Sequence, residues 1–576
     1  MTSLPGREWD FDASDSTQEN QIPSRRVLIE QRLPQMFPQL SQRRIEKARR
    51  YGTVESIEAG RLIYRMGERS DGIRILLSGT ARLTRRDGLG NTHFWMELGE
   101  GHFLGETAQL TGKPYLADAH AVTAVEVLLI SPSRLRMLMI EEAHIGEQVM
   151  RALILRRAGL VQDGIGPVLI GPLEDRKLIA LEGFFRRVNH PYRIVDSDGG
   201  FNLAALPNPP DLSAVRWPLV ALTNGTTLCD PSEGELAGAL GLLPQLDESY
   251  VYDVAVVGAG PAGLATAVYA ASEGLTVIVF DTQGPGGQAG ASARIENYLG
   301  FPTGISGHAL SYRAFMQAVK FGAEIVAPTE VAGVRCCTYP HEISLHDGRS
   351  VRSRTVVIAS GAAYRKPQIA GLDILRTHGI YYWASAIEGH LCQDREVVVI
   401  GGGNSAGQAI VFLSNFVRKI HVVVRKSDLQ ASMSRYLIDR IAALDNVELH
   451  MNSAVDSARV DDEGLSGLLI AGPTGQRFLE TRHLFLFTGA EPNTSWLQGC
   501  GISVDDRGFV LSGQGFPDEM GRVHFPFETN VAGVFAVGDV RSSSVKRVSA
   551  AVGEGAAVVA EVHKFLALRA RVSVRI

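Results

Sequence analysis

At 576 residues and 62.3 kDa the chain is too long for a single hydrophobic core, because such cores stop growing near about 250 to 300 residues. About three to five domains are expected. Hydrophobic residues at 45%, charged residues at 21% and a mean hydropathy of +0.04 exclude a wholly disordered, collagenous or membrane-embedded protein. The net charge of −5 comes without any basic block, which argues against nucleic acid as a partner. The cysteines, at 229, 336, 337, 392 and 500, are odd in number and lack CxxC spacing. They suggest neither a disulfide framework nor a zinc cluster, no metal site is read from the sequence, and a cytoplasmic location is expected. The acidic start (Glu8, Asp10, Asp12, Asp15) is unlike a secretory signal. The most apolar stretch, Val254 to Ala271, is broken by Gly258, Gly260, Pro261 and Gly263, so no spanning helix and no membrane association are expected.

In chain order, residues 1–26 are polar and aperiodic and read as a flexible tail. From Thr53 to Ile130, short apolar runs such as Ile73 to Leu77 and Val125 to Ile130 alternate with glycines (Gly60, Gly67, Gly79, Gly105), the pattern of a small antiparallel β-roll. A long helical pattern follows through Leu135, Leu138, Ile145, Val149 and Leu153 to Arg156 and Arg157, to close the roll or link protomers. Residues 166–247 change to strand (Val168 to Ile170), helix (Arg176 to Val188), strand (Tyr192 to Val195), a strand after Trp217-Pro218, and a closing helix from Ser232, a separate α/β unit.

The second half carries the chemistry. An apolar strand, Tyr252 to Val257, runs into Gly258-Ala-Gly260-Pro261-Ala262-Gly263 and a helix, and a second strand ends in Asp281 about 20 residues on. Glycines here let backbone N–H groups and the helix N-terminus meet a pyrophosphate, and Asp281 can accept from a ribose hydroxyl. The pattern recurs at Glu396 to Ile400, Gly401-Gly402-Gly403-Asn404-Ser405-Ala406 and Ile420 to Val424, but there the second strand ends in Arg425-Lys426. Basic groups at that point suit the 2′-phosphate of NADP, which a carboxylate would repel; two such residues can also be only a solvated edge. Arg435, a turn or two on, stands within reach of the same phosphate. No catalytic acid or base is indicated.

Residues 250–570 resemble a low-molecular-weight thioredoxin reductase, on the two glycine loops, Gly286-Gly287-Gln288, Ile295-Glu296-Asn297-Tyr298-Leu299-Gly300-Phe301-Pro302, Thr488-Gly489-Ala490 and Gly533 to Val540 with Gly538-Asp539. The resemblance implies an FAD-binding domain over 250–363 and 487–576, with an NADPH-binding domain over 364–486 between its halves. It places pyrophosphate on Gly258, Gly260 and Gly263, adenosine ribose on Asp281, flavin contacts on Gln288 and Asn297, and ribitol on Asp539, with Pro261, Ala262, Gly287, Gly361 and Gly538 also expected to bind cofactor. Lys546-Arg547-Val548 stands where the family has Arg-Gln-Ala beside the flavin, and Gly401, Gly403, Asn404, Ser405, Ala406, Arg425, Lys426 and Arg435 would serve NADPH. Where the family has Tyr-Cys-Ala-Thr-Cys this chain has Tyr382-Trp383-Ala384-Ser385-Ala386, so the dithiol that passes electrons to a disulfide is missing. Cys336 and Cys337 sit in an expected strand, Val331 to Thr338, where neighbours face opposite ways. Trp383 is expected either beside the flavin or as core filling.

Residues 27–160 resemble a cyclic-nucleotide-binding domain of the catabolite-activator type, most specifically in Phe103 to Pro114, where Glu106 would bind ribose. Tyr115 and Asp118 replace the arginine and hydroxyl residue that hold the cyclic phosphate, which disfavours cyclic nucleotide binding. Residues 166–247 resemble a thioredoxin-like or glutaredoxin-like fold through Trp217-Pro218, the usual cis-proline site, without a redox cysteine. The expected fold is therefore multidomain α/β: two dinucleotide-binding, Rossmann-like domains of thioredoxin reductase type after a β-roll and a small thioredoxin-like unit. The expected function is that of an FAD-dependent NADPH oxidoreductase with an unknown electron acceptor, acting as a homodimer. The alternative is a redox-sensing regulator with little turnover.

Overall fold

The computed structural model describes residues 32–573 except 107, 211–214, 337, 366, 373–378, 462–463 and 514–523. The expected N-terminal tail lies outside the described residues. The roll consists of two four-stranded antiparallel sheets. One is ordered Thr53–Ile57, Val125–Ile130, Ile73–Ser78, Phe103–Leu104, the other Leu62–Tyr64, Asp118–Ala121, Ala81–Arg86, Thr92–Leu98. Alternation produces the layering: in Ala81–Arg86 the side chains of Ala81, Leu83 and Arg85 are buried and those between them are less so.

The single long helix expected after the roll is two helices, Pro132–Glu141 and Ala143–Asp163, broken at Glu142 (φ −110°, ψ 70°). The break folds the second helix back so closely that a Cβ on Gly146 would lie 2.3 Å from the Met139 carbonyl oxygen. Lys47 and Arg50 hold the Glu142 carboxylate from outside at 2.6 and 3.1 Å. Periodicity could not show this, because the apolar spacing continues through the break. The second helix buries Arg156 completely. Its guanidinium lies between the rings of Phe37 and Phe103, 4.5 and 4.3 Å from their centroids, and donates to the carbonyls of Met36, Phe103 and Gly105. Arg157 joins the roll to the next unit by bonding Glu106 at 3.1 Å and the Asn189 carbonyl at 2.6 Å.

That next unit has one four-stranded sheet ordered Arg193–Asp196, Val168–Gly171, Leu219–Ala221, Thr227–Cys229; the first pair is parallel and the others antiparallel. The Trp217–Pro218 peptide is cis. Helix Arg176–Arg187 and helix Glu233–Ala239, the latter opened by a Ser232/Glu235 capping box, cover the sheet with Leu178, Phe185 and Leu236.

The second half contains two parallel-centred sheets. In the first, Val251–Val257 pairs in parallel with Val277–Phe280 and with Ser350–Ile358, and Val534–Ala536 returns from far along the chain to pair with Ser350–Ile358. In the second, the order is Ile380–Tyr381, His483–Leu486, Glu396–Ile400, Lys419–Val423, Val447–His450, all parallel. The strand expected over Val331 to Thr338 ends at Arg335; Cys336 lies in the turn beyond it, and Cys337 is outside the described residues. The alternation argument therefore does not apply to this pair. Met316 and Val319 of helix Gly307–Lys320 share one apolar cluster with Leu135, Leu138 and Ile145, so the roll's helices pack directly on the first dinucleotide unit.

The C-terminal helix Val548–Ser573 lies along helix Pro261–Ser272 and carries Glu561, which accepts from the Phe527 N–H at 3.0 Å beside Glu528. Burial pushes the Glu561 carboxyl up to about 7. A carboxyl raised in the fold contributes stability at low pH that is lost as pH rises from the ordinary carboxylate range through about 7. Glu561→Gln, which keeps an acceptor for Phe527, should unfold at higher urea than the parent at pH 8 and at nearly equal urea at about pH 4, read from denaturation midpoints.

Candidate functional site

Strand Val251–Val257 delivers the chain to Gly258 (φ 110°) and the start of helix Pro261–Ser272. A Cβ on Gly263 would sit 1.8 Å from the Gly258 carbonyl oxygen, so the turn closes only around glycine. Gly260 differs: the nearest atom to a Cβ there is the Gly287 Cα at 4.0 Å, and no side chain caps the helix. The first helical N–H groups therefore face an open cradle, the arrangement that receives phosphate. The Gly286 N–H donates to the Ala259 carbonyl at 2.8 Å and fixes the opposite wall.

Other chain segments complete this site. Asp281 accepts from the N–H groups of Ala259, Gln283 and Gly284 at 2.7, 2.9 and 2.8 Å, and burial raises its carboxyl above the ordinary range. It braces the glycine turn. Gln288 donates to the Ala362 carbonyl, bringing Gly361 beside the cradle, and a Cβ on Gly361 or Gly489 would meet nothing within 4 Å. Gly538 packs on the first turn of helix Pro261–Ser272, where its Cβ would lie 2.8 Å from that of Ala262. Its N–H donates to Glu554 at 2.7 Å, and burial raises the adjacent Asp539 carboxyl. The Lys546 ammonium bonds the Asp539 carbonyl at 2.5 Å and lies 4.3 Å from the Phe509 ring centroid, so it serves the turn. Arg547 is exposed, and Val548 opens the last helix. Asn297 is exposed on its loop, and the neighbouring Glu296 takes Arg440 of helix Arg435–Ala442 at 2.7 Å.

At the second turn, Gly401 (φ 141°) leads to helix Asn404–Leu413, and a Cβ on Gly403 would find only the Ser432 carbonyl oxygen at 3.9 Å. Asn404 accepts from the Ser434 N–H at 2.7 Å. Ser405 is exposed beside it and Ala406 is buried in the core. Arg425 and Lys426 lie exposed past strand Lys419–Val423, and Arg435 is paired with Asp439 at 2.8 Å. Sequence reasoning missed Glu554 and the Glu296–Arg440 pair. Each depends on a contact between segments far apart in sequence, for which no local signal exists.

In the roll, Tyr115 is buried and stacks on Tyr64 at 4.0 Å between centroids. Its hydroxyl donates to Asp71 and accepts from Arg74 at 2.9 Å. Glu106 is buried, bonding Arg157 and the Ala108 N–H. Asp118 accepts from the Met66 N–H at 2.8 Å and from Arg86 at 3.2 Å.

Two glycine turns at the carboxyl ends of two parallel sheets, the second unit inserted between the halves of the first, define a two-dinucleotide oxidoreductase. The family described as pyridine nucleotide-disulphide oxidoreductase matches residues 252–555, more than half of the chain, which belongs to that family. The cyclic nucleotide-binding domain family matches residues 54–142. The chain is similar to the thioredoxin reductase of Mycoplasmopsis pulmonis, 30% identical over 311 residues, covering 54% of this chain and 96% of the relative. It is similarly 30% identical over 325 residues to that of Bacillus subtilis, covering 56% and 96%. The crystal structure of Lactococcus lactis thioredoxin reductase in its FR conformation superposes with a TM-score of 0.50 at 27% identity, covering 55% of this chain and 99% of that one.

Two outcomes test the turns. Gly260→Ala should fold normally and lose most of its flavin, whereas Gly263→Ala should lower stability by about 2 to 3 kcal/mol through overpacking; visible absorbance per protein and urea denaturation distinguish them. Arg425→Ala should raise the KM for NADPH about tenfold, roughly 1.4 kcal/mol, and leave that for NADH unchanged in steady-state assays.

Proposed function

We propose that this protein is an FAD-dependent NADPH oxidoreductase of thioredoxin reductase type that delivers electrons to an acceptor without a dithiol of its own. When bound, FAD supplies the hydride-accepting redox centre and NADPH the hydride. The observation that carries the reading is the pair of open glycine cradles, one backed by Asp281 and the other followed by Arg425 and Lys426. Gly258, Gly260 and Gly263 receive the FAD pyrophosphate, Asp281 and Asp539 the sugar hydroxyls, and Gln288, with Gly361 behind it, borders the flavin. Gly401, Gly403 and the start of helix Asn404–Leu413 receive NADPH, with Arg425 and Lys426 on its 2′-phosphate. Arg440 on Glu296 ties the two units together in the orientation seen here.

The segment Trp383-Ala384-Ser385-Ala386 stands in place of the dithiol. The indole N–H of Trp383 donates to Glu388 at 2.9 Å, and the Ser385 N–H donates to the same carboxylate at 2.8 Å. Neither an indole nor a serine can attack a disulfide in place of a thiolate. Electrons therefore leave by another route, to a small molecule or a redox protein. The unit over 166–247 is read as thioredoxin-like from its strand order, and as a docking or spacer module because Cys229, on an outer strand, has no redox partner near it in sequence. The reading includes a cytoplasmic homodimer; among the described residues no helix is long and apolar enough to cross a membrane.

One observation favours a regulatory role as a second reading: the apolar cluster shared by the roll's helices and helix Gly307–Lys320 couples the roll to the FAD unit. In that reading the roll does not take a cyclic nucleotide in the usual manner, because Tyr115, which replaces the phosphate-binding arginine, stacks on Tyr64 and bonds Arg74. An anaerobic titration separates the two. Under the first reading about one equivalent of NADPH bleaches the flavin, NADH is less effective, and an added acceptor sustains turnover. Bleaching without turnover for any acceptor would favour the regulator, and no bleaching would overturn the oxidoreductase.

A further inference from the structure

We propose that the second dinucleotide unit carries a site for a borderline divalent cation of the zinc class, built from His421, Glu448 and His450. In the parallel register His421 lies opposite Glu448, Val423 opposite His450, and Lys419 opposite Glu396, so the two-residue period of a strand puts all these residues on one face of the sheet. That face is covered by the three-stranded sheet Ala454–Asp461, Gly464–Gly472, Gly475–Glu480, through Val398, Val423, Leu468 and Ile470. The histidines stand at the rim of this layer, with His421 3% exposed.

The ligand atoms converge. His421 Nδ1 lies 3.2 Å from His450 Nε2 and 3.5 Å from Glu448 Oε2, and His450 Nε2 lies 3.7 Å from Glu448 Oε1. A tetrahedral ion with bonds of about 2.0 to 2.1 Å requires edges of about 3.3 to 3.4 Å between its ligands. The two ring nitrogens and one oxygen of the Glu448 carboxylate, all within 4.8 Å of one another, can form one face of such a tetrahedron after a small turn of the carboxylate, and water takes the fourth corner.

The surrounding groups prepare these atoms. Glu396 lies 3.2 Å from His421 Nε2. An ionised Glu396 can only accept, so Nε2 carries the proton and Nδ1 turns a lone pair into the site, the carboxylate–histidine arrangement found behind metal-bound imidazoles. Lys419 and Arg477 each lie 2.6 Å from the Glu448 carboxylate. Those two cations, with one carboxylate ligand, leave too little negative charge for magnesium or calcium, which rely on several oxygens. Two imidazoles instead suit zinc, nickel or copper. The ion would fasten the edge strand Val447–His450 to its neighbour.

The test is calorimetry and thermal denaturation of the full chain, stripped with a chelator and then titrated with zinc sulfate, with cobalt(II) absorbance as a probe of tetrahedral geometry. One equivalent should bind and raise the melting temperature, and magnesium should do neither. His450→Gln and Glu448→Gln should each weaken zinc about tenfold or more, and Glu396→Gln about tenfold, with flavin content unchanged. Absence of a stoichiometric site would overturn the proposal, as would one indifferent to both His450→Gln and Glu448→Gln. Should His450→Gln fail to fold, Glu448→Gln at the rim decides.

Discussion

The structure depends on how closely a helix can approach the strand that feeds it. At Gly258 and Gly263 the backbone of helix Pro261–Ser272 touches the turn before it, leaving no room for even one methyl group. This contact places the first turn of the helix against Gly538 and, through Gly555, whose Cβ would lie 2.2 Å from the Ala262 carbonyl oxygen, against the C-terminal helix. The same helix buries nearly its whole circumference in one apolar cluster. Cofactor cradle and hydrophobic core are consequently one object. The residues that shape the cradle are fixed by packing, while the open Gly260 position is left for a ligand.

Around that object the chain adds units by burying polar groups that find partners. Arg156 is a fully buried cation tolerated because three carbonyls and two aromatic rings receive it, and Arg157 next to it links Glu106 of the roll to the following unit. Tyr115 and Arg74 close the roll's interior with Asp71. The roll held this way packs on helix Gly307–Lys320, close in sequence to the loops of the first cradle. Trp383 and Ser385 likewise direct their N–H donors to the Glu388 carboxylate.

By itself the sequence determined the two dinucleotide turns, the acid after one and the two basic residues after the other, and the roll. These are local facts: a glycine required by a positive φ, a strand period, a residue type at a given place. The helix break at Glu142, the end of the strand at Arg335, the joining of Gln288 to Gly361 through Ala362, the Glu296–Arg440 tie and the convergence of His421 with His450 were decided only in three dimensions. Each arises where segments distant in the chain are brought within bonding distance by sheet register or helix docking. No spacing along the sequence encodes that distance.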